Sequence, residues 1–468
     1  MAMSGYDRQS FYQIGIALMG IDVLLKAAQS GDANACLKMA MAWLTGQDVP
    51  GQDTAKGRHW LEKASAGGNV EAKRFLGLIY LRGMDVVPDF DKAVALLEDA
   101  SRYGDAEAAF SLASFLGGSR DEWYNADKAI EWLNQAAVAG LPRAQCHLGY
   151  CLQHGVLIGQ DREEAVKWFA RAAAAGDAGA MLTLAEHFQA GSMVPQDSAR
   201  AYGLAKTAAQ KGWSVAGEYA ESLAAGSDDI PSTMEHLLPR ADEISISHPG
   251  SLPVVIPEML AWQPRAVLMR NFASTFECAE IANAARQHLM PSFVVEEDGR
   301  LSKHRVRTSY EVRLRSGLRN IVMQALEQRM AVWSHFPVEN AEYPLILHYE
   351  NSQSFEQHYD YFIPEDFVMG EGPLEFGGQR IATQLIYLNE KFEGGETRFD
   401  LTDLVLKPER GMCMLFFNTT PDGNVDPFSR HTGVGVTSGE KWLMARWIRE
   451  IPFDQPAREI KRDQYRQP

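Results

Sequence analysis

Residues 165–191, "AVKWFARAAAAGDAGAMLTLAEHFQAG", hold two Ala-rich segments of helical periodicity with Gly176 between them. The same layout repeats along the first half of the chain, where a Gly is followed four residues later by an Ala. The period is 36 residues after a first step of 37, at Gly31/Ala35, Gly68/Ala72, Gly104/Ala108, Gly140/Ala144, Gly176/Ala180 and Gly212/Ala216. A second marker has the same period, at Trp60, Leu96, Trp132, Trp168 and Leu204. Two helical segments per repeat of this length predict an α-solenoid of helix pairs.

Each residue type in the repeat has a predicted role. The glycines are expected to separate two helices at a positive φ, which costs glycine little. The alanines are expected to let helices approach closely, and the Trp and Leu positions to fill the seam between them. The pattern resembles Sel1-like repeats, relatives of the tetratricopeptide repeat, over roughly residues 31–225. The resemblance implies an array that binds proteins or peptides on its concave face; the alternative is an array that only stabilises or oligomerises the chain.

Length and composition narrow the class of protein. A chain of 468 residues is too long for one ordinary core, so two or more domains are expected. It is 46% apolar and 23% charged, as in soluble globular proteins. A net charge of −16 argues against nucleic acid as a partner, because phosphate binding depends on clustered Lys and Arg. The five cysteines form no CxxC pair, which favours a reducing compartment and no zinc site: Cys36, Cys146, Cys151, Cys278 and Cys413.

The N-terminus contains an apolar run at residues 14–25, but no basic segment precedes it and Asp22 interrupts it. Phe11, Ile14, Leu18 and Ile21 follow helical spacing, so residues 1–30 are predicted to form an amphipathic capping helix rather than a signal peptide. The chain has no stretch near the ~20 apolar residues that a membrane span needs. We therefore expect a cytoplasmic protein with no membrane partner.

The repeat periodicity ends after Leu223. Residues 226–261 are rich in Pro, Ser and Asp and predict a linker with one short helix. Residues 262–455 contain two amphipathic helical segments and several short β-like runs, and residues 456–468 a tail. The runs are "LILHYE", "IATQLIYLNE", "LVLKP", "CMLFFN" and "KWLMARWI". The predicted fold is a multidomain α + β protein, with an N-terminal α-solenoid and a C-terminal double-stranded β-helix, or jelly roll, flanked by helices.

Four residues of this second region carry the chemistry. They stand in "QHYDYF" (His358, Asp360), "FSRHTGVG" (His431) and "GEKWLMARW" (Lys441). Two residues apart in a β-like segment, His358 and Asp360 are expected to point to the same face. Two imidazoles and one carboxylate on iron(II) leave positions open for a co-substrate and dioxygen. Lys441, ten residues after His431, is a cation placed to bind a carboxylate.

Over about residues 262–450 the chain resembles prolyl 4-hydroxylase-type iron(II)- and 2-oxoglutarate-dependent dioxygenases. The resemblance is carried by "MRNFAS", "RTS", "FPVENAE", "QRIATQLIYLN", "EGGETRF", "LKPERGMCMLFFN" and "GEKW", in the order of the family. It implies iron(II) bound by His358, Asp360 and His431, with 2-oxoglutarate and O2 as co-substrates and ascorbate as a further candidate. Lys441 would pair with the 5-carboxylate of 2-oxoglutarate. The remaining co-substrate positions would be Tyr349, Thr383 and Tyr387.

The resemblance also bears on the substrate. Arg380 and Trp447 match positions near the peptide in related enzymes, although both residues suit a structural role equally well. The polar segment 296–311 resembles the mobile lid of the family. We expect hydroxylation of a residue, most of all proline, in a protein or peptide presented partly by the solenoid. The alternatives are a hydroxylase of a free amino acid or small peptide in natural-product metabolism and an inactive scaffold.

Overall fold

A computed structural model describes residues 20–223, 230–231, 233–245, 255–295, 301–303, 308–363, 374 and 376–453. Most of the predicted capping helix, residues 296–300 and 304–307 of the predicted lid and the whole predicted tail lie outside these ranges. The described end of the capping segment is helical from Ile21 to Gln29.

The first half of the chain is a series of paired α-helices, most of them thirteen residues long. Among the described residues, α1–α12 are Ile21–Gln29, Ala33–Thr45, Thr54–Ala66, Val70–Arg82, Phe90–Arg102, Ala106–Gly118, Ala126–Val138, Pro142–His154, Arg162–Ala174, Ala178–Ala190, Ser198–Gln210 and Ser214–Leu223. The short helix predicted in the linker is α13, Met234–Leu237. The solenoid prediction is confirmed.

The Gly-to-Ala spacing of the repeat is a helix-start signal. Gly31 has a φ of 92°, a conformation that few residues other than glycine adopt, and Asp32 then caps α2 by accepting a hydrogen bond from the backbone N–H of Ala35. Asn69 caps Ala72 in the same way one repeat later. The repeated Ala is therefore the third residue of a helix, which is why it lies four residues after the Gly.

Packing in the array differs in one detail from the sequence pattern. The repeated alanines are buried as predicted, but Leu96, Trp132 and Trp168 are only half-buried. The markers Trp60 and Leu204 are buried, and the next position along is buried in all five repeats, at Leu61, Leu97, Leu133, Phe169 and Ala205. The Trp and Leu markers thus pack in the seam to different depths, and the residue after each marker is the one that is buried in every repeat.

The second half of the chain is built around antiparallel sheets. Its described strands β1–β16 are Pro257–Trp262, Arg265–Met269, Met290–Pro291, Phe293–Val295, Leu301–Lys303, Tyr310–Arg313, Leu345–Tyr349, Phe355–His358, Arg380–Tyr387, Phe392–Gly394, Thr397–Phe399, Val405–Leu406, Cys413–Phe417, His431–Gly433, Val436–Gly439 and Lys441–Arg449. The order in the large sheet is β1-β2-β13-β9-β16-β7-β6-β3, and in the small sheet β12-β11-β14-β8. The first strand begins at Pro257, inside the segment predicted as linker.

An apolar core lies between the two sheets. The large sheet contributes Leu347, Leu385 and Leu443, and the small sheet Phe399 and Leu406. The two helices predicted in this region are α14 (Thr275–Arg286) and α15 (Ile321–Ser334). Side chains on the other face of the large sheet reach α15, where Gln384 donates to the carbonyl of Met330. The jelly roll with flanking helices is confirmed.

The described chain forms two compact units. The first holds the residues up to Ala172 together with Ser316–Ile321, and the second holds Ala173–Arg315 with the residues from Val322 onward. This division differs from the predicted boundary at residue 225, because helices α10–α12 belong to the same unit as the sheets. No helix among the described residues combines the length and the hydropathy that a bilayer crossing requires.

Candidate active site

Two strands of the small sheet bring the predicted metal ligands together. β8 ends at His358 and β14 begins at His431, and these two histidines are directly paired across the antiparallel ladder. Asp360 follows two residues after the end of β8. Strand pairing thus closes a gap of more than seventy residues in the sequence.

The three side chains form one cluster. The Nε2 atom of His358 lies 3.6 Å from Oδ1 of Asp360, and Nε2 of His431 lies 3.8 Å from Oδ2. The three ligand atoms are within 4.8 Å of one another. Two imidazoles and a carboxylate at these separations can all bind one ion and leave its other positions open, as non-haem iron(II) requires. The donor set therefore fits the expected metal.

Backbone carbonyls orient both imidazoles. Nδ1 of His358 donates to the carbonyl of Glu356 at 2.8 Å, and Nδ1 of His431 donates to the carbonyl of Ser429 at 2.9 Å. A carbonyl only accepts, so each Nδ1 carries the proton and each Nε2 keeps a lone pair. Both lone pairs face Asp360, which is the tautomer that metal binding needs.

The ionisation states of His431 and Asp360 favour the binding of a cation. Burial, together with the neighbouring His358, lowers the pKa of His431 to about 4, so its ring is neutral at neutral pH. Burial alone would favour a neutral Asp360, but the adjacent His431 and His358 keep the pKa of its carboxyl well below the usual range. Asp360 is therefore ionised, although it is only 6% exposed. A buried carboxylate beside two imidazole nitrogens is strongly stabilised by a bound divalent ion.

A buried hydroxyl fixes the carboxylate. Thr383 Oγ1 donates to Asp360 Oδ2 at 2.7 Å, and Asn418 Nδ2 donates to Thr383 Oγ1 at 3.0 Å. Thr383 thus contacts the iron ligand, while the direct contact with co-substrate implied by the resemblance stays a prediction. Sequence analysis missed Asn418, whose only signal was its place directly after β13.

Lys441 opens β16 and is only 2% exposed. Its Nζ donates to the carbonyl of Gly395 at 2.6 Å and lies 5.4 Å from the ring centre of Tyr349 and 5.5 Å from that of Tyr387. Burial lowers its pKa to about 8, an effect that Glu396 partly opposes. A buried ammonium with no carboxylate in direct contact among the described residues fits the carboxylate of a bound co-substrate.

The two predicted tyrosines differ in their partners. Tyr349 pairs with Lys441 across β7 and β16, and Tyr387 pairs with Leu443 across β9 and β16. The hydroxyl of Tyr387 is 2.6 Å from Oγ1 of Thr397. Both rings face the core between the sheets, as the alternation along their strands predicts.

The predicted substrate residues touch each other. The guanidinium of Arg380 stacks on the ring of Trp447 at 4.1 Å and forms a two-pronged ion pair with Glu342, at 2.6 Å and 2.9 Å. Burial favours the neutral acid, but Arg380 and then Arg449 and Arg313 hold the pKa of Glu342 below its usual range. Sequence analysis treated Glu342 only as part of a motif and did not identify it as the carboxylate that orients Arg380.

Comparisons with known proteins agree with this geometry. A family model described as the 2OG-Fe(II) oxygenase superfamily matches residues 344–449. The Sel1 repeat model matches five consecutive segments, 33–69, 70–105, 106–141, 142–177 and 178–213. The sixth Gly and Ala pair, Gly212/Ala216, is at the end of the last match and in α12.

The chain has curated relatives among plant prolyl 4-hydroxylases. It is 36% identical over 211 residues to the probable prolyl 4-hydroxylase 3 of Arabidopsis thaliana, covering 41% of this chain and 71% of the relative. It is 38% identical over 211 residues to prolyl 4-hydroxylase 1 of the same plant, covering 42% and 72%. Among solved structures, the 2-oxoglutarate complex of a viral collagen prolyl hydroxylase from Paramecium bursaria Chlorella virus-1 is 24% identical, with a TM-score of 0.32 and coverage of 40% and 96%.

Proposed function

Because the chain belongs to the prolyl 4-hydroxylase family of iron(II)- and 2-oxoglutarate-dependent dioxygenases, we propose that it hydroxylates a proline residue in a protein or peptide. As a member of this family it uses iron(II), 2-oxoglutarate and O2. The proposal concerns the substrate: the reacting residue is proline, and the proline lies within a polypeptide.

One observation supports this function above all. The candidate metal ligands His358, Asp360 and His431 bring their ligand atoms within 4.8 Å of one another, and the buried Lys441 is the candidate partner for the co-substrate carboxylate. The same sequence region has prolyl 4-hydroxylases as relatives at 36–38% identity. An inactive scaffold is disfavoured, because a scaffold has no use for three convergent ligands and a buried lysine.

The residues around the metal have separable tasks. His358 and His431 would bind through Nε2, since the backbone holds each Nδ1. Thr383 holds one oxygen of Asp360 and so orients the carboxylate toward the ion. When bound, iron(II) with 2-oxoglutarate and O2 supplies oxidative decarboxylation, in which the substrate C–H becomes C–OH while 2-oxoglutarate becomes succinate and CO2.

The core between the sheets would bind the co-substrate. Lys441 as an ammonium would pair with the 5-carboxylate, a charge-assisted contact of about 1.5–3 kcal/mol. Tyr349 and Tyr387 flank this ammonium and exclude water from it. An ion pair shielded from water is stronger than an exposed one, because less water is present to screen its two charges.

The substrate side carries a cation and an indole. Arg380 is held by Glu342, and the one hydrogen bond of its Nη1 to a described residue is a long one of 3.5 Å to the carbonyl of Asp360, so that edge could bond a peptide carbonyl. Trp447 is buried and stacks on Arg380, so its part in substrate binding would be to hold that guanidinium in place. In this proposal the solenoid binds a larger part of the substrate, as the Sel1-like pattern suggests.

The test is hydroxylation by the full chain. The iron-loaded protein is incubated with 2-oxoglutarate, ascorbate and either a library of proline-containing peptides or free L-proline, and products are analysed by mass spectrometry. We expect a gain of one oxygen on proline within peptides, and none with Asp360→Ala. Oxygen gained only on free proline would favour the small-molecule alternative, and oxygen gained only on another residue would overturn the assignment of proline.

A further inference from the structure

The end of the repeat array makes specific contacts within the unit that contains the active site. Glu218 lies on helix α12, and its carboxylate contacts residues 389–391, the segment that follows β9. One carboxylate oxygen accepts from Asn389 Nδ2 at 3.0 Å. The other accepts from the backbone N–H groups of Glu390 and Lys391, at 3.1 Å and 3.4 Å. The carboxylate thus pairs three N–H donors of one turn.

Asn389 links Glu218 to the backbone of the residues on both sides of Lys441. Its side chain is 1% exposed, donates to the carbonyl of Glu440 at 2.7 Å and accepts from the N–H of Trp442 at 2.7 Å. The backbone that begins β16 is therefore clamped by one amide side chain. Glu218 holds the same amide from the array side, which fixes its orientation.

The turn after Asn389 also provides the partner of the lysine side chain. β10 runs from Phe392 to Gly394 and pairs with β15, whose last residue, Gly439, lies opposite Phe392. The next carbonyl along, that of Gly395, accepts from Nζ of Lys441. Residues 389–395, which bind Glu218 at their start, thus contact the backbone on both sides of Lys441 and also its side chain.

From this arrangement we infer that the last repeat of the array forms part of the 2-oxoglutarate site, with Glu218 as the positioning residue for Lys441. The inference rests on the proposed function in one respect, that Lys441 binds the co-substrate. Loss of Glu218 removes the acceptor of the buried Asn389 amide and of the half-buried Glu390 N–H, so the 389–395 segment and the ammonium lose their fixed position.

A contact that merely attaches the repeats would behave differently, and the chain provides a matched control. Glu186, on α10 of the same unit, accepts from the N–H of Thr275 at 2.7 Å at the start of α14. It joins the repeats to the oxygenase part as Glu218 does, but its partner lies on a helix and not on the Lys441 segment. Glu221, exposed on α12, is a second control for the loss of one charge.

The experiment measures binding of 2-oxoglutarate to the full Mn(II)-loaded chain by calorimetry, together with metal affinity and melting temperature. For Glu218→Ala we expect the Kd of 2-oxoglutarate to rise by about fivefold to tenfold with metal affinity unchanged. Glu218→Gln keeps the size of the side chain but turns an amide N–H group toward one of the N–H donors of residues 389–391. It should therefore also raise the Kd of 2-oxoglutarate. Glu186→Ala and Glu221→Ala should leave the Kd within about twofold of the unaltered chain.

The outcomes separate this inference from the proposed function. If the unaltered chain fails to bind 2-oxoglutarate, the proposed function is overturned, and the inference with it. If the unaltered chain binds but both Glu218 variants bind equally well, only the positioning role is overturned. An equal loss of affinity in Glu186→Ala and Glu218→Ala would also overturn it, because the effect would then follow from loosening the repeats in general.

Discussion

The repeat helices and the oxygenase sheets bury different kinds of groups. In the array, the core is mainly apolar, as at Ala72 and Leu97, although Arg74 and His147 are also buried there. In the jelly roll, the interior holds a carboxylate, an imidazole and an ammonium, at Asp360, His431 and Lys441. Burying such groups is costly without partners, and their partners come from distant strands. Repeated local contacts thus stabilise the array, whereas the jelly roll buries polar groups that a bound metal ion and co-substrate would pair.

The boundary between the two compact units falls near residue 173, before the repeat pattern ends. Helices α10–α12 follow the repeat pattern in sequence but belong to the unit of the sheets. A truncation designed at residue 225 would remove Glu186 and Glu218, and with them contacts of the oxygenase part. The useful comparison therefore uses single substitutions in the full chain.

The largest contrast is expected from Asp360→Ala. Turnover of 2-oxoglutarate should fall by at least about a thousandfold, because the facial set of ligands loses its anion. Succinate formation measures this, with the exposed Asp403→Ala as the control. Retained hydroxylation in Asp360→Ala would remove the iron assignment.

Lys441→Ala tests the ammonium. The Kd of 2-oxoglutarate should rise by about tenfold to a hundredfold through loss of the charge-assisted contact, while metal binding is spared. Calorimetry with the Mn(II)-loaded chain measures both, and the exposed Lys407→Ala is the matched control. An unchanged requirement for 2-oxoglutarate would refute the role of Lys441.

Thr383→Val tests the hydroxyl behind the carboxylate. The valine keeps the shape but leaves Asp360 Oδ2 and Asn418 Nδ2 without their shared partner, so metal affinity should fall by about tenfold. Thr383→Ser keeps the hydroxyl and should bind metal nearly as well as the unaltered chain. Equal affinities for the valine and serine variants would argue against this support of the ligand.

The pH dependence of co-substrate binding follows from the pKa of Lys441. With a pKa of about 8 before 2-oxoglutarate binds, the lysine is charged below that pH and loses its proton above it. The Kd should be flat below that pKa and should rise toward about tenfold per pH unit above it. Lys441→Arg, which stays charged, should remove the rise; a rise of the same size in that variant would assign it to another group.

The smallest effect on chemistry is expected from the array. Leu97 is fully buried, and a Cβ at Gly77 would lie 2.8 Å from its Cγ, so the two helices are in close contact there. Leu97→Ala should cost about 2–5 kcal/mol of stability. Turnover of 2-oxoglutarate without substrate should change by less than about twofold, since no active-site residue contacts this position. A tenfold loss of that turnover would mean that the array and the site are coupled far from Glu218.

Sequence periodicity predicted much of the first region, because its structure is local. The glycines between helices and the small alanines depend on residues within one repeat, and both were predicted correctly. Periodicity did not show that the residue after each marker is the more consistently buried one, because Trp132 and Leu133 are both apolar. Only packing shows which of two adjacent apolar residues faces inward.

By itself, the sequence determined the repeat period, the jelly roll and the residue types of the site, since His358, Asp360, His431 and Lys441 have few other uses in that order and spacing. The tertiary structure alone decided which groups support them. The bond from Thr383 to Asp360, the pairing of Glu342 with Arg380 and the reach of Glu218 to Asn389 join residues that are 23, 38 and 171 positions apart. Such contacts depend on strand pairing and helix docking across the fold, and no local pattern records them.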